Sequence, residues 1–312
     1  MRTDVITFGE AMLMLVADQP GPLESVQGFH KRTAGAETNV AVGLARLGLT
    51  VGWASRLGTD SMGRYLLAAM SNEGIDCSHV VCDPTQKTGF QFKGQVSDGT
   101  DPPVEYHRAG SAASHMGVSD IDVDWLLSAR HLHATGVFAA ISPTTLPAAR
   151  KSMDLMRTAG RSVSFDPNLR PTLWVSPEKM REEINDLATR AHWVLPGLEE
   201  GRLLTGESSP EGIARFYRQR GAQLVVVKLG SEGAFFDGET GNGYIAGFPV
   251  DNVVDTVGAG DGFAVGVISA LLDGLSVPDA VKRGAWIGAR AVQVLGDSEG
   301  LPTRAELLAA KL

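Results

Sequence analysis

The sequence contains little cysteine, no concentrated positive charge and no long apolar segment, and each absence excludes a class of protein. The two cysteines, Cys77 and Cys82, are too few for a disulfide framework, so we expect reduced thiols in a cytoplasmic protein. The net charge is −8 without a basic run, which disfavours nucleic acid or an anionic membrane as a partner. Apolar stretches all fall short of membrane-spanning length, and Glu10 interrupts the first of them.

Short apolar segments alternate with amphipathic ones along most of the chain. With 312 residues and 43% apolar composition, the chain can bury a large core. The apolar segments predict buried strands at residues 5–9, 51–58, 131–136, 162–166, 193–196 and 224–230. The amphipathic segments predict helices at 38–47, 63–73, 144–159, 177–190 and 209–220. This alternation predicts an α/β fold with a mainly parallel sheet covered on both faces.

Two segments break this rhythm. Residues from about 11 to 33 and from about 88 to 110 contain strand-like pieces with glycine and proline, but no helical pattern. Thr88 to Val96 and Val104 to Arg108 are predicted to pair as antiparallel strands outside the main sheet. Either a small β-flap that covers a cleft or a solvent-exposed hairpin fits this pattern.

The most informative segment is the glycine loop Asp255-Thr-Val-Gly-Ala-Gly-Asp261. Gly258 and Gly260 allow a tight turn with exposed amide groups, and the apolar residues after Asp261 have the spacing of a helix. Such a helix N-terminus attracts phosphate, whereas a carboxylate there repels it. Asp261 therefore either caps the helix, as Asp commonly does, or takes a proton from the group that attacks the phosphate. The loop alone leaves both roles open.

Two other glycine-loop motifs are excluded or weakened by the sequence. A Walker loop requires Gly-Lys-Ser/Thr after a glycine and four further residues, and this string does not occur. A dinucleotide-binding loop requires a third glycine where Phe263 stands, and an acidic residue after a second strand. Asp279 has about the right distance, but it lies at a predicted helix start.

Further polar clusters follow the predicted strands, at residues 33–39, 166–170, 196–200 and 228–233. Together with the glycine loop, they resemble the ribokinase-like sugar kinases, the phosphofructokinase-B superfamily, along nearly the whole chain. The resemblance implies one domain over residues 1–312, a three-layer sandwich with a mainly parallel central sheet. It also implies that segments 11–33 and 88–110 form a small β-flap, the lid.

The resemblance implies that this site transfers a phosphoryl group from ATP. Amides of Gly258, Ala259 and Gly260 would form an anion hole, and Asp261 would be the general base. The nucleotide is expected at Lys228, Gly230, Ser231, Gly233 and Thr256.

Mg²⁺ is expected beside the phosphates, because it offsets their charge and prefers oxygen ligands. Glu200 matches the acidic end of the family's Asn-x-x-Glu magnesium motif, but Gly197 replaces the Asn. Glu200 as a cap of the helix 199–205 is the alternative. Some relatives also use a monovalent cation near the position of Asp255.

On the sugar side, Gly35 and Asn39 match the family's early Gly-Gly-x-x-x-Asn motif, with Ala34 in place of the first glycine. The segment from Tyr106 to Ser114 is similar to one in 2-keto-3-deoxygluconate kinases. That similarity assigns Tyr106, Arg108 and Arg170 to an acid sugar, whose carboxylate a guanidinium can bind in a bidentate manner. The alternatives are a solvated charge for Arg108 and a structural ion pair for Arg170.

The resemblance implies an ATP-dependent kinase acting on the terminal hydroxyl of 2-keto-3-deoxygluconate. Two positions depart from the subgroup pattern, His107 and Gln91, where tyrosines are usual. The alternatives are therefore a kinase for 5-keto-2-deoxygluconate, fructose, another ketose or a nucleoside, or a sugar-binding regulator without catalysis. A homodimer formed through the lid is also expected from the resemblance.

Overall fold

The computed structural model describes residues 3–96 and 102–312, which form two β-sheets and the helices that cover the larger one. Part of the second predicted lid segment, residues 97–101, lies outside the described residues. The strands, in chain order, are β1 (Val5–Phe8), β2 (Met12–Ala17), β3 (Phe29–Ala34), β4 (Val51–Gly58), β5 (Val80–Asp83), β6 (Phe90–Lys93), β7 (Val104–His107), β8 (His131–Thr135), β9 (Ser162–Asp166), β10 (Trp193–Val194), β11 (Leu224–Lys228), β12 (Gly233–Gly238) and β13 (Gly241–Ala246).

The helices lie between these strands and after the last of them. In chain order they are α1 (Ala36–Arg46), α2 (Ser61–Asn72), α3 (Val123–Ser128), α4 (Gly136–Ala140), α5 (Thr145–Thr158), α6 (Pro177–Ala188), α7 (Leu198–Thr205), α8 (Pro210–Arg218), α9 (Ala259–Leu272), α10 (Val277–Ala291) and α11 (Arg304–Ala309). None of the helices in the described part of the chain is both long enough and apolar enough to cross a membrane.

The large sheet has nine strands in the order β13-β12-β11-β10-β9-β8-β1-β4-β5. All neighbours from β11 to β5 are parallel, and only β12 and β13 join in antiparallel fashion. The carboxyl ends of the parallel strands therefore meet along one edge, where ligands bind in open α/β sheets.

Side chains alternate between the two faces of this sheet, and each face carries its own core. On β1, Val5 packs with helices on one face while Ile6 packs on the other. On β11, Val226 and Val225 divide in the same way. Buried apolar side chains on both faces explain why the strands are apolar throughout. The predicted α/β fold class is confirmed.

Three of the covering helices begin with a serine cap followed closely by proline. The side chains of Ser176, Ser209 and Ser276 accept hydrogen bonds from backbone N–H groups in the first turns of α6, α8 and α10. Proline fits the first turn because its missing N–H would have no helical partner there. The sequence itself therefore sets these helix starts.

The small sheet has the order β3-β2-β6-β7 and faces the carboxyl-end edge of the large sheet. β6 pairs with β7 in antiparallel fashion, with Gln91 opposite Tyr106, and β2 joins β6 in parallel. Because the small sheet faces the edge of the large sheet, a cavity lies between the two sheets.

Candidate active site

A cavity of about 460 Å³ lies between the small sheet and the carboxyl ends of the large sheet. It brings together residues from many separate segments of the chain. The predicted site residues that line it are Gly35, Asn39, Tyr106, Arg108, Arg170, Glu200, Lys228, Thr256, Gly258, Gly260 and Asp261.

Gly230 and Ser231 lie in the turn between β11 and β12, and Gly233 is the first residue of β12; none of the three is among the described residues that line this cavity. Gly233 has φ of +103°, and a Cβ atom there would overlap the backbone of Ile245. Sheet packing therefore already requires this glycine, and its predicted contact with nucleotide stays a prediction.

The glycine loop forms a sharp entry into α9. Gly258 is the N-cap residue in the left-handed conformation, with φ of +84°, and a Cβ atom there would overlap the backbone of Asp297. Ala259 and Gly260 begin the helix, so their amide groups have no acceptor within α9. This helix end can stabilise negative charge.

Asp261 lies in the first turn of α9 and is 8% exposed. The side-chain amide of Asn39 donates to its Oδ2 at 2.7 Å, and that of Asn168 donates to its Oδ1 at 3.2 Å. Because Gly258 is the cap, the capping alternative for Asp261 is wrong. Burial raises the pKa of Asp261 to about 8, so its ionised form is a stronger base than an exposed carboxylate.

The segment after β9 supports this carboxyl group. Asn168 has φ of +38°, an uncommon conformation outside glycine that asparagine tolerates better than most residues. The buried Asp166 accepts a hydrogen bond from Lys228 Nζ at 2.6 Å, and burial raises the pKa of Asp166 to about 6.

Lys228 lies close to the start of α9. Its Nζ lies 3.5 Å from where a Cβ atom on Gly260 would be. Burial lowers the pKa of Lys228, but the neighbouring carboxylates of Asp166 and Glu200 outweigh this effect and raise it. A protonated ammonium group therefore stands beside the predicted anion hole.

Both carboxylate oxygens of Glu200 accept hydrogen bonds from backbone N–H groups. Its Oε2 accepts from the N–H of Gly197 at 2.8 Å at the start of α7, and its Oε1 accepts from the N–H of Leu169 at 2.7 Å. The helix-capping alternative therefore describes its contacts in this structure. Within residues 3–96 and 102–312, no cluster of three His, Cys, Asp or Glu residues is arranged to hold a metal ion. Magnesium binding by Glu200 stays a prediction.

On the small-sheet side, Arg108 is 9% exposed and its Nη2 pairs with Glu10 Oε2 at 2.5 Å. The alternative of a solvated charge for Arg108 is therefore wrong. Glu10 also accepts a short hydrogen bond from Ser111. Arg170 lies across the cavity and donates to the carbonyl of Leu169 at 2.9 Å, while Tyr106 is 48% exposed.

Sequence reasoning missed several residues that line the cavity, among them Glu10, Lys93, Asn168 and Asp297. Asn168 carried a usable signal, since it lies two residues after a buried strand, within the polar cluster at 166–170. Lys93 carried none, because a single lysine in a strand normally faces solvent.

Comparisons with known proteins agree with this geometry. A family model described as pfkB family carbohydrate kinase matches residues 2–304. Over 308 residues, the chain is 50% identical to 2-dehydro-3-deoxygluconokinase from Bacillus subtilis (strain 168), covering 98% of this chain and 95% of that relative.

Solved structures extend the agreement to the fold. A PfkB protein from Polaromonas sp. JS666 is 80% identical, with a TM-score of 0.92 over 98% of this chain and 99% of that one. A putative ribokinase II from E. coli, solved in complex with ATP and Mg²⁺, is 25% identical, with a TM-score of 0.91 over 98% of both chains. The predicted ribokinase-like architecture is confirmed.

Proposed function

The chain belongs to the pfkB family of carbohydrate kinases, and from that premise we propose that it phosphorylates 2-keto-3-deoxygluconate, also called 2-dehydro-3-deoxygluconate. ATP supplies the γ-phosphate, the terminal hydroxyl of the sugar accepts it, and the products are ADP and 2-keto-3-deoxy-6-phosphogluconate. The observation that carries this proposal is Asp261, a buried carboxyl group held at the amide-rich start of α9.

Asp261 is the general base of the proposed reaction. Its ionised carboxylate takes the proton of the terminal hydroxyl while that oxygen forms a bond to the γ-phosphorus. The bond between the γ-phosphorus and the bridging oxygen of ADP breaks. Asn39 and Asn168 fix the carboxylate through hydrogen bonds, which supports a defined direction of proton transfer.

The start of α9 stabilises the negative charge that moves during transfer. The amides of Gly258, Ala259 and Gly260 donate to the transferring phosphoryl oxygens, and the Lys228 ammonium adds positive charge beside them. Positioning and charge stabilisation supply most of the catalysis in phosphoryl transfer, so hydrogen-bond donors at this point would contribute directly to the rate.

In this proposal the nucleotide binds at the turn after β11, with its phosphates near Gly230, Ser231 and Gly233, and Thr256 contacts it from the cavity wall; Thr256 does line the cavity. Mg²⁺ bound with ATP offsets phosphate charge during transfer. Because Gly197 has no side chain and Glu200 is engaged by backbone groups, a metal contact by Glu200 would pass through water.

Sugar recognition rests on Gly35, Asn39, Tyr106, Arg108 and Arg170, which approach the cavity from both sheets. Two guanidinium groups suit a substrate with a carboxylate, and neutral fructose or a nucleoside would leave them unused. Glu10 holds Arg108 in place, so the substrate carboxylate would share a guanidinium that is already positioned. 5-Keto-2-deoxygluconate is also an acid and remains the strongest alternative substrate.

A sugar-binding regulator without catalysis is the candidate from another class. A carboxylate beside the phosphate site weakens anion binding, and Asp261 is buried at a cost in free energy. A protein that only binds ligands gains nothing from this arrangement.

The small sheet is proposed to act as a lid over the sugar and to form a homodimer through its exposed strands. β7 is an edge strand of the small sheet and is largely exposed, so its outer edge can pair with a second copy. Sedimentation velocity tests the dimer, and a monomer at micromolar concentration contradicts it. The cytoplasmic location stays a prediction.

An ADP-release assay over a panel of sugars tests the proposed function. The panel contains 2-keto-3-deoxygluconate, 5-keto-2-deoxygluconate, fructose, ribose and adenosine, each with ATP and Mg²⁺. We expect the highest kcat/KM with 2-keto-3-deoxygluconate. A higher value with any other acceptor overturns the substrate assignment, and no ADP release with any sugar overturns the kinase assignment for this panel.

A further inference from the structure

Beside the proposed anion hole lies a buried charge cluster formed by Lys93, Asp255 and Asp297. Lys93 is 0% exposed, and its Nζ donates to Asp255 Oδ2 at 2.6 Å and to Asp297 Oδ1 at 3.1 Å. The two aspartates are 4% and 5% exposed. One ammonium group therefore stands between two carboxyl groups that are removed from water.

The cluster joins three segments that meet under the glycine loop. Lys93 ends β6 of the small sheet, Asp255 begins the glycine loop, and Asp297 belongs to the segment after α10. Asp255 also accepts from the N–H of Val257 and of Gly296, each at 3.1 Å. The backbone of Asp297 packs directly against Gly258, the N-cap of α9. The position of the anion-hole amides therefore depends on this cluster.

Two carboxyl groups at this depth require a compensating cation. An unpaired buried carboxylate costs several kcal/mol or becomes protonated, and either change would release the loop from its hydrogen bonds. Burial alone would lower the pKa of Lys93, but Asp297 and Asp255 raise it above its ordinary value. Lys93 therefore stays charged at neutral pH.

A monovalent cation near Asp255 does not fit this arrangement. Both carboxylate oxygens of Asp255 are already engaged, since Oδ2 accepts from Lys93 Nζ and the N–H of Gly296, and Oδ1 accepts from the N–H of Val257. Potassium brought to the same place would meet an ammonium group of equal charge at a distance where repulsion is strong.

We propose that Lys93 is a built-in cation that takes the place of a bound monovalent ion and positions the anion-hole loop for phosphoryl transfer. Lys93 is a positioning residue, since it acts through Asp255 and Asp297. The kinetic test of this inference rests on the proposed kinase activity, whereas its thermal-unfolding test does not. With Lys93 in this place, the enzyme has full activity without potassium.

The first experiment uses the unmodified protein. ADP release is measured at saturating substrates in KCl, NH₄Cl and tetramethylammonium chloride of equal ionic strength. We expect the rates to agree within about twofold, the range that general screening of charge can produce. Activation by potassium of about tenfold or more, equivalent to about 1.4 kcal/mol, overturns the proposal whether or not any variant folds.

The second experiment uses three variants in the same salts. Lys93→Ala removes the ammonium and leaves space for a small cation, whereas Lys93→Met removes the charge but fills the space. Lys31→Ala is the control, because Lys31 lies on β3 of the same small sheet and is exposed. We expect kcat to fall about 10²-fold in both Lys93 variants, because a small displacement of catalytic donors has an effect of that size.

Rescue by added cations separates this role from a merely structural one. Potassium or ammonium ions are expected to restore the activity of Lys93→Ala at least about tenfold, with little effect on Lys93→Met or Lys31→Ala. Normal activity of Lys93→Ala in tetramethylammonium chloride, or equal rescue of both Lys93 variants, contradicts the proposal.

Thermal unfolding without substrates provides a readout that does not depend on the sugar. Potassium is expected to raise the Tm of Lys93→Ala by about 2–4 °C per kcal/mol of binding, relative to tetramethylammonium, and to leave the unmodified protein unchanged. If the unmodified protein phosphorylates no sugar, the kinase proposal fails while this result still decides the role of Lys93. A potassium-dependent Tm in the unmodified protein overturns the inference.

Discussion

A general base must be strong enough to take a proton and must also be ionised at neutral pH, and these two requirements conflict at Asp261. Its burial raises its pKa to about 8, which improves it as a base but reduces its ionised fraction at neutral pH. The amide of Asn39 lowers this pKa by bonding the charged form, and Lys228 acts in the same direction. The residue is therefore tuned by its neighbours, which sit on other segments of the chain.

The substitution Asp261→Asn tests the base directly. It keeps the size of the side chain but removes its ability to take a proton, so we expect kcat to fall by about 10²–10⁴-fold. Asp124→Asn, an exposed substitution on α3, is the control and should leave kcat unchanged. Steady-state kinetics measure both, and near-normal turnover in Asp261→Asn would remove Asp261 from the mechanism.

The pH dependence of kcat/KM follows from the same residue. Because burial raises the pKa of Asp261 to about 8 in the ligand-free protein, the base form accumulates as the pH rises toward 8. We expect log(kcat/KM) to climb with a slope of about 1 between pH 6 and 8 and then to level off. A profile that is already flat above pH 5 would show that the carboxyl group titrates in its ordinary range.

Arg108 is the residue that tests recognition of an acid sugar. Replacing Arg108 by Gln removes its charge, and a charge-assisted bond is worth about 1.5–3 kcal/mol, or about ten- to a hundredfold in binding. We therefore expect KM for 2-keto-3-deoxygluconate to rise by that factor, with KM for ATP nearly unchanged. Arg64→Gln, at an exposed position of α2, is the control, and equal changes in both KM values would exclude Arg108 from the sugar site.

At the scale of single elements, the sequence patterns predicted most of the parallel strands of the large sheet but missed its two antiparallel strands, the buried β12 and the exposed β13. Strands such as β1, β9 and β11 are buried, and their apolar runs predicted them. The edge strand β13 was not predicted, since it is largely exposed and its sequence Gly-Asn-Gly-Tyr-Ile-Ala has no apolar run. An edge strand is stabilised by its neighbour rather than by its own composition.

Helix α9 begins at the predicted anion hole, and its contact with α10 requires a glycine. A Cβ atom on Gly266 would overlap the backbone of Gly284 on α10. We expect Gly266→Ala to lower the free energy of unfolding by about 1–3 kcal/mol, because neither backbone can yield without moving a helix. Urea denaturation measures this change.

Gly262→Ala in the same helix is the matched control for stability. A Cβ atom there would contact only side chains, at 3.2 Å from Leu301 and 3.3 Å from Ile287. Side chains can adjust by a few tenths of an ångström, so the loss should be smaller than in Gly266→Ala. Equal losses in the two variants would argue against close backbone packing as the cause.

At the scale of the whole molecule, the site exists because two sheets face each other across the cavity. The start of α9, at the carboxyl-end edge of the large sheet, carries Asp261 and the amides of the predicted anion hole, while the small sheet carries Tyr106 and the buried Lys93 and is directly followed by Arg108. In the described part of the chain, no acidic or histidine cluster binds a resident metal. We predict that the proposed transfer from ATP needs Mg²⁺ whereas the folded state does not need a metal ion.

Removal of metal ions tests whether activity, but not folding, depends on a metal ion. EDTA is expected to abolish ADP release while leaving the Tm of the ligand-free protein within about 1 °C, since only a ligand bound to the native state shifts Tm. Added Mg²⁺ should restore the activity fully. A fall in Tm of several degrees in EDTA would indicate a structural metal site.

The sequence by itself determined the α/β fold class, the glycine loop and the identity of Asp261, because these depend on periodicity and on motifs that are local in the chain. Only the tertiary structure decided which groups contact that carboxylate. Asn39 and Asn168 are separated from Asp261 by 222 and 93 positions, and Lys93 from Asp255 by 162. Contacts of this range form when the parallel strands bring their carboxyl ends to one edge of the sheet and the small sheet covers that edge. The spacing of residues along the chain does not predict them.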